Sequence, residues 1–392
     1  MDTEKLKSAV LSEVEKERQA LIELSLRLHA NPEIGFKEEK AAAWLSHYLE
    51  QKGFRLERGV AGMATAFRAS YGQGRPAVAF LAEYDALPQI GHGCGHNIIA
   101  AAAAGAGIAA RLAADKSSGM VQVIGTPAEE MYGGKVIMAQ RGVFSDLDAA
   151  MLVHPGSRDT AYTRALACAI QDVEFFGVAS HAAAHPEEGV NALEAMLLAF
   201  NSINALRQHI KDGSRIHGII THGGDAANIV PAHTAAHFLV RAREDAYLNV
   251  LQGRVLNCFK AAALATGCRL EHRLSDIRYA AMRTNRPLAE AFSRNLVALG
   301  RKPQPPDAGT GLGSTDMGNV SAVVPSVHAF VSIVPPTISE HSTGFAAAAA
   351  SETGHRGLID GAKAMAMTAI ELLTDSQLMA QVKADFLAGG SD

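Results

Sequence analysis

Long uninterrupted apolar runs are missing from this 392-residue chain. No stretch of about 18 apolar residues occurs, which argues against a membrane-spanning helix. The most apolar segment, Ile98 to Ala110, is rich in Ala and Gly, is shorter than a span and suits a buried helix. Cysteine is scarce as well. Cys94, Cys168, Cys258 and Cys268 form no CxxC pair and no disulfide-dense pattern, so a reducing cytoplasm is the expected compartment. Neither sign of charge dominates: 36 Lys and Arg stand against 40 Asp and Glu, net −4, with no run of five like charges. That balance excludes the basic stripe of a nucleic-acid binder. Residues 1–24 are charged and amphipathic, without the apolar core and cleavage site of a signal peptide. A Gly-x4-Gly-Lys-Ser/Thr loop for nucleotide phosphates is absent too.

What remains is an ordinary globular composition, 48% hydrophobic and 19% charged, in a chain long enough for two domains. Two helices are expected before Gly53. Short apolar runs at Ala77 to Ala82, Val121 to Gly125, Ala149 to Val153 and Val327 to Val334 read as buried strands. Helices are expected between and after them, over Asn97 to Ala114 and Ala362 to Leu373. Strands alternating with helices imply an α/β domain with a mostly parallel sheet covered on both faces. The middle of the chain has another order. A strand at Ala169 to Phe176, a helix at Asn191 to Gln208, strands near Ile216–Thr221 and Thr234–Arg241, a helix at Ala246 to Thr266 and a strand to Tyr279 follow one another. This β-α-β-β-α-β series is that of a ferredoxin-like α+β module. Residues 169–279 are therefore expected as an insertion, and residues 1–168 and 280–392 as one discontinuous domain.

Four chemically loaded motifs each follow an expected strand, where ligands bind in open α/β sheets. Glu83-Tyr84-Asp85-Ala86-Leu87-Pro88 comes first. Gly91-His92-Gly93-Cys94-Gly95-His96-Asn97 follows, and its thiol and imidazole suit a divalent ion. A Gly-rich turn with a buried thiol is the competing reading of that motif alone. Thr126-Pro127-Ala128-Glu129-Glu130 offers two acids, which a solvated turn or the first turn of a helix would also explain. Val153-His154-Pro155-Gly156 supplies a further imidazole. Late in the chain, His341, His328 and His355 compete, and spacing does not choose among them. One thiolate, a carboxylate and three imidazoles exceed the needs of one tetrahedral ion and suit two ions bridged by Cys94 and water. Glu129 would then take the proton of that water, and Asp85 would orient an imidazole.

At these residues the chain resembles the aminoacylase and carboxypeptidase-G-like metallopeptidase family. Within it, the chain is similar to the amidohydrolase branch of hippurate, indole-acetyl-amino-acid and aminobenzoyl-glutamate hydrolases. The likeness runs from Leu28-His29-Ala30-Asn31-Pro32-Glu33-Ile34-Gly35 through the motifs above. It continues at Ser180-His181-Ala182, Asn228-Ile229-Val230-Pro231 and Ser314-Thr315-Asp316-Met317, and ends at His341-Ser342. The resemblance implies a zinc-peptidase-like catalytic domain whose metal ligands are Cys94, His96, Glu130, His154 and His341, with Glu129 as general base. It favours His341 over His355. Two divalent ions per chain are implied, zinc or manganese first, cobalt or nickel next. The inserted module becomes a lid and homodimerisation domain. There His181 resembles the histidine that reaches a partner's site and stabilises an oxyanion, and Asn228 and Arg241 match positions facing a small amide substrate. A structural salt bridge competes for Arg241. Glu83 and Asn97 depart from the branch, where Asp is usual, and point to a dipeptidase-like sub-branch. The expected activity is hydrolysis of a dipeptide or N-acyl-amino acid, aminobenzoyl-glutamate included. Ring deamination on the same centre and a silent metal-binding scaffold are the alternatives.

Overall fold

A computed structural model describes residues 3–305 and 313–389. It opens with helices α1 (Thr3–His29) and α2 (Glu39–Gln51) and strands β1 (Arg55–Arg58), β2 (Phe67–Gly72) and β3 (Ala77–Ala82). Helix α3 (His96–Ala114), β4 (Met120–Gly125), α4 (Glu129–Tyr132), α5 (Gly134–Gln140) and β5 (Ala149–Gly156) follow. Next come β6 (Ala167–Phe176), α6 (Ala192–Leu206), β7 (Arg215–His222), β8 (His233–Ala242), α7 (Asp245–Thr266) and β9 (Arg269–Tyr279). The last part holds α8 (Arg286–Ala298), α9 (Met317–Ser321), β10 (Ser326–Ser332), α10 (Thr343–Ala349), α11 (Glu352–Thr374) and α12 (Ser376–Leu387). Contacts divide the chain into two compact units. One takes in Met1–Arg164, Met282–Gly311 and Asp316–Asp392, the other Ala165–Ala281 and Leu312–Thr315.

The first unit is built on a six-stranded sheet in the order β1-β2-β4-β3-β5-β10. Its β4-β3-β5-β10 half is parallel, and β1 and β2 join antiparallel at one edge. All six residues of β3 (AVAFLA) are buried, as a central strand covered on both faces requires. Full burial of a side chain such as Phe80 stabilises by about 1.5–3 kcal/mol. β1 (RLER) is mostly exposed, and its charges discourage pairing with another chain at that edge.

Helix α3 is buried on nearly every side. By length and composition it is the described helix that would pass for a membrane span, longer than the apolar run suggests, yet 89% of that stretch lies inside the protein. Alanine makes it a strong helix former and keeps it thin. A Cβ at Gly107 would stand 2.3 Å from Val123 Cγ2 on β4, so only glycine permits this closeness of helix to sheet. The apolar face of α1 (Leu6, Val10, Val14, Leu21, Leu28) recurs at helical spacing and joins the same core as α3 and α11.

The second unit has the order β7-β8-β6-β9, antiparallel throughout. With α6 after β6 and α7 after β8, this is the ferredoxin-like arrangement. Burial alternates along β6 and β8. Val173, Phe175, Phe238 and Val240 face a core shared with Ala199, Leu251 and Phe259 of the two helices.

Two element boundaries differ most from those expected, and two strands were not expected. β5 runs on through Pro155 to Gly156, because it pairs with β10 in parallel as far as Gly156↔Ser332. α11 begins ten residues before Ala362, capped by the Ser351 hydroxyl, which accepts from Gly354 N. β1 and β2 were not foreseen, since Arg55–Arg58 has no apolar alternation.

Candidate metal centre

The candidate ligands lie in the first unit, on segments that leave the sheet or enter a helix. Cys94 and His96 flank Gly95, the residue that caps α3 with φ +73°. A Cβ at Gly95 would stand 2.5 Å from Pro155 Cγ, so glycine is required there both for the backbone and for space. Glu129 and Glu130 open α4 behind Ala128, whose φ of +61° is a strained choice for alanine. His154 lies within β5, and His341 precedes α10 with φ +60°. Non-glycine residues held in this region cluster at functional sites.

Each strained residue is held from outside. The His341 N–H donates to Gly93 O at 3.0 Å. The Ala128 N–H donates to Glu38 Oε1 at 2.8 Å, while the Thr65 hydroxyl donates to Glu38 Oε2 at 2.9 Å. The Tyr84 hydroxyl in turn donates to Thr65 O at 2.6 Å. Glu38 is fully buried, and burial together with the Asp85 charge pushes its pKa up to about 7. Raised in the folded state, this carboxyl stabilises the fold fully below its unfolded value of about 4.5 and loses that contribution as pH rises through 7. Metal-stripped Glu38→Gln protein should therefore lose less thermal stability than metal-stripped wild type between pH 4.5 and 7.5. The difference is expected to be on the order of 2 kcal/mol and is read from melting curves. Parallel curves for the two proteins would show that Glu38 does not titrate there.

Donor atoms converge in overlapping groups, each with every member within 4.8 Å of the others: Cys94, His96 and His154; Cys94, Glu130 and His341; His96, Glu129 and Glu130. Cys94 belongs to the first two. The ring contacts suit ligation. His96 Nδ1 is 2.9 Å from Asp85 Oδ1, and His154 Nδ1 is 2.6 Å from Pro155 O. With Nδ1–H donating, the Nε2 lone pair of each ring is left for a cation. Asp85 Oδ2 also accepts from Glu130 N at 3.0 Å, so one carboxylate steadies two candidate ligands.

Around His96 Nε2 the carboxylates stand too far off for hydrogen bonds to a proton. Glu83 Oε2 is at 3.4 Å and Glu130 Oε1 at 3.6 Å, against about 2.7–2.9 Å for a charge-assisted bond. His341 Nε2 is 3.5 Å from Glu130 Oε2. His96 Nε2 and Glu130 Oε1 are buried without a hydrogen-bond partner among the described residues. Orphaned buried donors and acceptors of this kind need an explanation. A divalent ion between them supplies one, and the thiol, imidazole and carboxylate set suits zinc-like ions. Burial works against charge on His96, yet Asp85, Glu83 and Glu130 together push its pKa well above the ordinary imidazole value. Burial, then Glu130, pushes the Cys94 thiol up as well, so ligation there releases a proton. Glu129 is held well above the usual carboxylate range by burial and by Glu83, Asp316 and Glu130.

Next to this cluster lies a second one, whose lysine the sequence did not announce. Lys135 Nζ is 2.6 Å from Glu83 Oε1 and 2.7 Å from Asp316 Oδ1, all three residues being buried. Lys135 N donates to Asp316 Oδ2 at 2.9 Å. The one sequence signal for Lys135 is its position ahead of the apolar Val136-Ile137-Met138-Ala139, and lysine is ordinarily a surface residue.

His328 and His355 stand in none of the donor groups. His328 is buried on β10 with its ring 5.7 Å from that of His154, and His355 sits on α11 near Glu352. His181, Asn228 and Arg241 belong to the second unit. His181 and Asn228 are exposed, and Ala182 N donates to Asn228 O at 3.0 Å. The Arg241 guanidinium on β8 lies beside the buried Cys168 thiol, its cross-strand neighbour on β6, without a carboxylate partner among the described residues.

The family model described as Peptidase family M20/M25/M40 matches residues 79–367. A Xaa-Arg dipeptidase from Mus musculus is 36% identical over 401 residues, covering 98% of this chain and 93% of its own. One of the p-aminobenzoyl-glutamate hydrolase subunits of Escherichia coli (strain K12) is 35% identical over 308 residues, covering 73% of this chain and 64% of its own. Among solved structures, a dinuclear metal-binding peptidase of the M20 family from Bacillus subtilis superposes with a TM-score of 0.70 at 17% identity, over 92% of this chain and 99% of its own, a likeness of fold.

Proposed function

The chain belongs to peptidase family M20/M25/M40 and is a hydrolase acting on amide bonds, and on that premise we propose that it cleaves a dipeptide, or a related aminobenzoyl-glutamate or N-acyl-amino acid, on a two-ion centre. The observation that carries this reading is the overlap of donor groups at Cys94, His96 and Glu130, with His96 Nε2 and Glu130 Oε1 buried and orphaned. Cys94, His96, Glu130, His154 and His341 would hold the ions, zinc or manganese, with cobalt or nickel as substitutes. When bound, the ions supply Lewis acidity to water and to an amide carbonyl.

The chain's own residues do the rest. Glu129 accepts a proton as the water oxygen bonds to the carbonyl carbon. It returns that proton to the amide nitrogen as the C–N bond breaks, giving a carboxylate and a free amine. Burial and its carboxylate neighbours raise its pKa, which favours holding the proton between the two steps. Asp85 keeps Nδ1 of His96 protonated and the ring in place. The second unit, taken as lid and homodimerisation surface, would bring His181 to the oxyanion and Asn228 and Arg241 to the substrate. Arg241, without a carboxylate of its own, can fork onto that of a C-terminal amino acid.

The dipeptidase name of a relative matched nearly end to end places dipeptides ending in arginine first on the substrate panel. Metal-reconstituted protein is to be offered such dipeptides, aminobenzoyl-glutamate and N-acyl-amino acids, with amino-acid release measured. Release from at least one class is expected. No release from any, with two ions bound per chain, would overturn the proposal. Nothing in the geometry favours ring deamination or a silent scaffold.

A further inference from the structure

Resting on the two-ion reading, we propose that Glu83 is a further metal ligand, using Oε2, while Lys135 holds its other oxygen. Glu83, Lys135 and Asp316 are 1%, 0% and 0% exposed. Taking several full charges out of water is costly, and such a group persists only where its charges are matched. Here they do not match within the trio. Two carboxylates face one ammonium, which leaves one negative charge over.

Of the two carboxylates, Glu83 is the less satisfied. Asp316 is used up, with Oδ1 against Lys135 Nζ and Oδ2 accepting from Lys135 N. Glu83 is only half used. Both its oxygens are buried without a hydrogen-bond partner among the described residues, but Oε1 lies in an ion pair 2.6 Å from Lys135 Nζ, while Oε2 faces only His96 Nε2, itself orphaned. Their separation of 3.4 Å is long for a hydrogen bond. It is, however, the spacing of two atoms that share an ion. Donors about 2.1 Å from one ion at the tetrahedral angle stand about 3.4 Å apart. Glu130 Oε1, a ligand in the two-ion centre, stands at the similar distance of 3.6 Å from the same nitrogen.

The bidentate hold of Lys135 on Asp316 fixes the ammonium, and the fixed ammonium aims Glu83. Lys135 is then a positioning residue and Glu83 a ligand. A simple counter-ion role for Glu83 would leave Oε2 without purpose.

The test uses the full chain, with zinc affinity measured by chelator competition and cobalt-reconstituted protein examined by visible absorption. Glu83→Gln keeps the shape of the side chain, and circular dichroism checks its fold. Wild type should bind two ions per chain. Glu83→Gln should weaken one of them by at least the 10–100-fold that changes outside the ligand shell cost. Its cobalt ligand-field bands should change with the coordination number, while the thiolate charge-transfer band from Cys94 persists. The double variant Glu83→Gln with Lys135→Met restores the local charge without restoring the ligand, so it should recover neither affinity nor spectrum. Recovery in the double variant, or a Glu83→Gln protein with wild-type affinity and spectrum, would overturn the assignment and leave the two-ion centre standing. Wild type that binds fewer than two ions would overturn both.

Discussion

Glu129→Ala should keep its two metal ions and lose about 10²–10⁴-fold in kcat, the range that a positioned general acid–base group supplies. The residue opens α4 next to Glu130, but the two acids face different surroundings. Glu130 reaches His341 and His96, and its backbone N–H is tied to Asp85. Glu129 shares space with Glu83 and Asp316 on one side and with His96 and Glu130 on the other. Like charges crowd it, and they favour its protonated form. Metal content by elemental analysis and turnover on the substrate found in the panel are to be measured on the same preparation. Turnover near wild type would remove Glu129 from the mechanism. Loss of an ion in step with activity would instead make Glu129 a ligand, which its place beside His96 and Glu130 permits.

Cys94→Ala should strip the centre more thoroughly than loss of His154 or His341. Two donor groups share its sulfur, whereas His154 and His341 serve one group each. Removing a shared donor weakens both ions at once, so the variant is expected to retain less than one ion per chain after dialysis. His154→Ala, by contrast, should retain one. Apparent turnover should fall by more than 10²-fold in Cys94→Ala, since both Lewis-acid positions are impaired. Cys94→Ser is the milder version, because a hydroxyl is a weaker ligand than a thiolate. Two ions firmly bound in Cys94→Ala would show that the sulfur bridges nothing.

The parts of this protein that were readable in its sequence share one physical cause. Central parallel strands are buried on both faces, so β3, β4, β5 and β10 stand out as apolar runs. The motifs carrying Cys94, His96, Glu129, Glu130 and His154 are found by looking at or just beyond the ends of those runs. β1 escapes because an edge strand needs only one apolar face and carries charges, and β2, between β1 and β4, escapes because Arg68, Ser70 and Tyr71 interrupt its apolar pattern. The choice among His341, His328 and His355 depends on folding brought about by residues far away, such as Gly93 O holding the His341 N–H. Spacing contains none of that. The pairing of Lys135 with Asp316 was unreadable for another reason. A lysine is almost always a surface residue, and only its partner, 181 residues along the chain, makes this one internal. Glu38 belongs with them: it looks like one acid in an acidic helix start and is a buried brace for Ala128.

The thinness of α3 also sets limits for anyone wishing to harden this protein against heat. Replacing glycine by alanine inside a helix is a routine gain of about 0.5–1 kcal/mol. At Gly107 the added methyl would collide with Val123, and relief would require α3 to slide, with His96 at its first residue moving too. The helix that is chemically the plainest in the chain is thus the one least open to redesign. Gly253, exposed on α7 with nothing within 4 Å of where its methyl would go, is where an engineer should begin.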